Sequence, residues 1–142
     1  MRLTQVLVMS SRRIRAATAV VTVLFAAGAA AGFAAWQFQH RAMHKAAQLT
    51  GGDPEMGRKL MRQFGCAGCH TVSGVPGAVG LVGPQLTQVR QRVYIAGVLT
   101  NTPDNLVRWM VDPKAYSPRT AMPRTGISEE QARHVAAFLY SQ

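Results

Sequence analysis

Acidic residues are scarce in this chain of 142 residues: six Asp and Glu stand against sixteen Lys and Arg, and the first acid is Asp53. Residues 1–52 hold six bases and no acid, a charge of +6, while residues 53–142 hold ten bases and six acids, a charge of +4. Most of the basicity is therefore concentrated at one end, and no basic stripe interleaved with aromatics occurs, which excludes a nucleic-acid footprint. Cysteine is scarcer still, with only Cys66 and Cys69. A structural zinc site needs four ligands, and beyond His70 the only histidine in residues 53–142 is His134. Alternating strand patterns are also missing, so a dithiol switch would lack the βαβ setting in which C-x-x-C usually works.

Charge is absent altogether from Ala16 to Trp36, an apolar run that as a helix spans roughly 31 Å, about one hydrocarbon core. Arg2, Arg12, Arg13 and Arg15 precede it, and only Arg41 and Lys45 closely follow. The run is expected to be a transmembrane anchor, with an uncleaved or cleaved signal peptide as the competing reading. The bias in basic residues places residues 1–15 in the cytoplasm and exports the rest. Gly28 and Gly32 form a small-xxx-small pattern that suits close helix packing in lipid, although an Ala/Gly-rich tether has the same look. Residues 37–52 read as a polar, weakly helical linker ending in Gly51 and Gly52, with His40 and His44 at headgroup level.

Residues 53–142 are expected to form an all-α domain of short helices. Asp53–Pro54 and Thr102–Pro103 are N-cap and first-turn pairs, and Ser128 with Gln131 makes a capping box. The first helix should end at Gly65, and the second before Pro113. Between residues 71 and 86 four glycines and two prolines break any regular element, so this loop is expected to be held by something other than regular backbone pairing. So little regular structure buries little apolar area, and a metal, disulfide or cofactor is expected to complete the core.

The two cysteines sit in "GCAGCH", with His70 directly after Cys69. C-x-x-C-H reads as covalent haem attachment, with the sulfurs one helical turn apart and the next side chain brought under the ring centre. His or Met from a distant loop usually supplies the opposite axial ligand in electron transfer. Met56, Met61 and Met110 fall in predicted helices, where gap-filling is the ordinary role. Met122 lies in "SPRTAMPRTG" with Pro123 stiffening its exit, and is the expected ligand.

Through "GRKLMRQFGCAGCH", "VGPQL", "NLVRWMVDP" and "AMP", in that order, residues 53–142 resemble a class I c-type cytochrome, most closely the cytochrome c domains of bacterial haem-copper oxidase subunit II. The resemblance implies a small helical fold around one haem c. It implies that the Pro84 carbonyl receives the Nδ1 proton of His70, that Trp109 packs on the haem edge and donates to a propionate, and that Gly57 and Met61 cross Leu139 and Tyr140. Arg92 and Arg119 become candidate propionate partners. Arg90, Arg92, Arg119 and Arg124 are expected to cluster near the haem edge and steer an acidic partner. The expected function is one-electron transfer as a subunit or stable associate of a respiratory terminal oxidase, with a redox donor and no small-molecule substrate. The alternative is a free, membrane-tethered carrier between a quinol-oxidising complex and an acceptor.

Overall fold

The computed structural model describes residues 11–142, so Arg2 and the rest of the first ten residues lie outside the described residues. Helix α1 runs unbroken over Ser11–Thr50 and is long and apolar enough to cross a membrane. The chain divides into two compact units, one ending at Phe38 and the other covering Gln39–Gln142. Among the described residues of the first unit the large apolar side chains are exposed, Leu24 and Phe25 among them. Phe33 and Trp36 stack near its end with ring centroids 5.8 Å apart.

In the second unit the stretch expected to be weakly helical is continuous helix over residues 39–50, and Ala46 and Thr50, four apart on one face, are 2 % and 1 % exposed. Arg133 reaches back to donate to the Thr50 carbonyl at 3.3 Å. Polar composition concealed this because the buried stripe is made of Ala and Thr, which carry little hydropathy.

After Gly51 and Gly52, α2 (Pro54–Gln63) starts where Asp53 caps it, its carboxylate accepting from the Glu55 and Met56 amides at 2.8 and 3.3 Å. The one-turn helix α3 (Cys66–Cys69) follows Gly65 directly. A two-residue hairpin pairs β1 (Tyr94–Ile95) with β2 (Leu99–Thr100), a small departure from the all-α expectation that leaves the fold mostly helical. Then come α4 (Pro103–Val111), capped by Thr102, and α5 (Pro113–Tyr116), a turn of helix beyond those expected. Last is α6 (Glu129–Tyr140), opened by the expected capping box between Ser128 and Gln131.

Helix α2 packs on α6, and α6 also packs on α4, so the core forms where these three meet. The α2–α6 approach is backbone-close: a Cβ on Gly57 would stand 1.9 Å from the His134 carbonyl oxygen. Gly57 thus lies against His134 and Phe138 of the last helix. The His134 ring closes the same joint, its Nδ1 accepting from the Asp53 amide at 2.8 Å.

The glycine-rich loop forms no helix or strand, as expected, and what holds it includes irregular backbone bonds. It is held by its own backbone: Val72 N–H donates to Ala78 O, Leu86 N–H to Thr71 O, and Gly83 N–H to Cys69 O at 2.7 Å, with Thr71 and Val79 forming a single bridge. Glycines that exclude a long strand still permit tight reversals, and each reversal brings a donor to an acceptor.

Candidate functional site

Helix α3 is one turn long, and the His70 amide closes it on Cys66 O at 2.9 Å. The His70 backbone is then extended, φ −114° and ψ 142°, so its side chain leaves the helix direction. Its Nδ1–H donates to the Pro84 carbonyl at 2.7 Å, which fixes the tautomer and leaves the Nε2 lone pair for a metal. Gly83 makes room for that ring, since a Cβ there would stand 2.3 Å from His70 Cε1. The chain loops fourteen residues on from His70 so that "GP" can seat one imidazole.

Cys66, Cys69, His70, Pro84, Trp109 and Met122 all line a single cavity of about 300 Å³, together with Met61, Leu106, Val135 and Leu139 from the helices. Both cysteines are free thiols. Burial pushes the Cys66 thiol up, so it stays protonated at neutral pH, unlike the thiolate a redox switch relies on. Among the described residues no three His, Cys, Asp or Glu side chains gather, so a zinc ligand set is lacking as well.

The cavity walls suit a flat apolar group with polar edges. Trp109 is 7 % exposed, and its indole N–H has no acceptor among the described residues, leaving a donor for a carboxylate such as a propionate. Met122 is half-buried against the core, and its amide donates to Thr120 Oγ1 at 3.2 Å, shaping the turn that carries its thioether. The apolar lining, two cysteines at one-turn spacing, an imidazole with one nitrogen committed and a thioether loop fit a covalently held haem with two axial ligands.

The arginines divide. Arg92 lines the cavity, but its guanidinium is occupied by the Gln85 and Thr87 carbonyls. Arg119 is not part of the lining. Arg124 forms a two-pronged ion pair with Asp112, Nε to Oδ1 at 2.7 Å and Nη2 to Oδ2 at 2.5 Å. This pairing holds the Asp112 carboxyl below the usual carboxylate range and removes Arg124 from the expected set of free steering cations.

Sequence reasoning missed Asn101, which also lines the cavity. Its Nδ2 donates to Val89 O and Arg92 O at 2.7 and 2.8 Å, and its Oδ1 accepts from the Tyr140 hydroxyl at 2.8 Å. One amide thus ties the 3-10 turn Val89–Gln91 to the last helix. Nothing in the local sequence signals this, whereas Asp112–Pro113 repeats the cap-plus-proline pattern of Asp53–Pro54 and could have revealed α5.

Among curated proteins, the chain is similar to cytochrome c oxidase subunit 2 of Alkalihalophilus pseudofirmus, 36 % identical over 86 residues, which is 60 % of this chain and 24 % of that protein. It is also similar to cytochrome c oxidase subunit 2 of Bacillus sp. strain PS3, 32 % identical over 80 residues, 54 % of this chain and 22 % of that one. It spans about a quarter of the length of the curated relatives it matches. No solved structure gives a significant match. The family model described as cytochrome c matches residues 54–142, well over half of the chain. With the helical architecture and the cysteine–histidine–methionine cavity agreeing, the chain belongs to the cytochrome c family of electron-transfer proteins.

Proposed function

We propose that Cys66 and Cys69 hold one haem c through thioethers, that His70 Nε2 and Met122 Sδ are its axial ligands, and that residues 53–142 are the electron-carrying domain of a respiratory haem-copper oxidase complex. The observation that carries this reading is the convergence of all four residues on one cavity, with the His70 ring already oriented by Pro84. When bound, the haem supplies the redox chemistry, one electron per Fe(II)/Fe(III) cycle.

The chain's own residues supply the rest. Pro84 accepts the Nδ1 proton and makes Nε2 the better donor. Gly83 keeps the ring from being pushed aside. Leu106, Val135 and Leu139 exclude water from the iron's surroundings, which favours the reduced, less charged state. Trp109 presents its N–H to a propionate. With His70 and Met122 both holding the metal, no open site would remain on it for a small-molecule substrate.

Residues 16–36 are the anchor, residues 1–15 stay in the cytoplasm, and the haem domain lies in the periplasm beside the oxidase that accepts its electrons. The oxidase placement is supported by the similarity to two subunit 2 proteins and by the long apolar helix.

A mass spectrum of the mature protein, with its reduced-minus-oxidised spectrum, should show one covalent haem on the peptide bearing Cys66 and Cys69; a haem-free mass would end the proposal. Met122→Ala should lower the reduction potential and open the iron to carbon monoxide. Purification in mild detergent should bring the protein down with a stoichiometric oxidase, while recovery as a lone monomer would favour the free carrier.

A further inference from the structure

The chain between Ala121 and Ile127 makes no backbone–backbone hydrogen bond among the described residues. Ile127 anchors the far end by re-entering the core. Between Met122 and that anchor a single polar tie exists among the described residues, the two-pronged ion pair of Arg124 with Asp112. Asp112 is a fixed post. Its amide donates to Arg108 O at 3.0 Å, ending α4, and its Oδ1 caps α5 by accepting from the Ala115 amide at 3.2 Å. Three residues earlier, the same helix carries Trp109 into the cavity wall.

Pro123 is the only residue between Met122 and Arg124. Proline fixes its own φ and keeps the preceding residue out of the α region, so few free torsions separate the thioether from the guanidinium. A planar guanidinium gripping both carboxylate oxygens fixes orientation as well as distance. Exposed ion pairs contribute little to global stability, and this one is exposed on the Arg124 side. Its effect is therefore local, on how often the loop opens.

We infer that Asp112 and Arg124 form a positioning clamp that holds Met122 against the cavity wall and slows its departure from the iron. The inference rests on the axial assignment of Met122 made above.

The test uses the ferric holo-protein and imidazole, whose binding requires the Met122 thioether to leave. Asp112→Asn keeps an N-cap acceptor for α5 while removing the charge, and Arg124→Gln alters a largely exposed side chain, so both variants should fold. Each should bind imidazole roughly two- to fivefold faster than the native protein, the range expected of a well-aligned exposed pair. The double variant should be no faster than either single one, and Arg124→Lys should fall between native and Arg124→Gln. Single variants that bind at the native rate would overturn the clamp, as would a double variant equal to the product of the two singles. A lowered unfolding midpoint with an unchanged imidazole rate would mark the pair as structural only and overturn it too. If Met122→Ala itself bound imidazole no faster than the native protein, the ligand assignment would fall and the clamp with it, a result distinct from failure of the clamp alone.

Discussion

His70 has one ring nitrogen committed through 2.7 Å to Pro84, and the space for that commitment exists only because residue 83 has no side chain. Gly83→Ala should therefore displace the ring or the loop, costing about 1–3 kcal/mol as overpacking does and raising the reduction potential if His70 loses its tie to Pro84, because a weaker imidazole donor favours the ferric state less. Denaturant unfolding together with a redox titration measures both. Asp112 allows a prediction in pH. Because Arg124 holds its carboxyl below the ordinary value of about 3.9, the unfolded state takes up the proton first as the solution is acidified. The stability the native protein has over Asp112→Asn should be constant from neutral pH down to about 5, then shrink as pH falls through the lowered folded value, as thermal unfolding across pH would show. At this scale the sequence was legible wherever chemistry sits in adjacent residues, as in Cys66, Cys69 and His70. The place of Met122 in a loop outside the helices could be read because proline and glycine isolate it, and that loop lines the cavity. Asn101 and the Asp112–Arg124 pair could not, because their partners lie nine or more residues away with no periodicity linking them.

Caps and breakers made most elements readable. Asp53, Thr102 and Ser128 each cap the helix they were expected to cap, since a side-chain oxygen can reach an unpaired amide without help from the tertiary fold. Elements decided by tertiary contact were not readable. The last turns of α1 are stabilised by burial of Ala46 and Thr50, and the loop over residues 71–86 by reversals that glycine permits. Two substitutions separate local preference from packing. Gly57→Ala improves helix propensity by up to about 1 kcal/mol, yet its Cβ would meet the His134 backbone at 1.9 Å, so packing wins and the domain should lose about 1–3 kcal/mol. Ala96 runs the other way. With Gly97 it turns the β1–β2 hairpin at positive φ, 50° and 72°, where alanine is strained. Ala96→Gly should stabilise the protein by about 0.5–1 kcal/mol, read from the denaturant midpoint at constant slope.

Taken whole, the second unit closes around an apolar cavity of about 300 Å³ lined by residues from α2, α3, α4, α6 and three loops. A group that fills it binds the folded chain and not the unfolded one, so its removal should cost stability by mass action. The Cys66→Ala/Cys69→Ala protein, which cannot form thioethers, should unfold at markedly lower denaturant and lose the near-ultraviolet signal of Trp109; a midpoint equal to that of the native protein would contradict this. The joint that shuts the cavity has a further consequence, in time rather than in space. Asp53 and His134, which meet across it, are 81 residues apart in sequence. A contact so distant forms late, because a long loop must be closed before it brings any gain. During synthesis Cys66, Cys69 and His70 therefore appear well before α6, and for that interval the face of α2 bearing Gly57 and Met61 has nothing to pack on. The interval is a window in which both thiols remain open to the machinery that would modify them, and the arrival of α6 ends it.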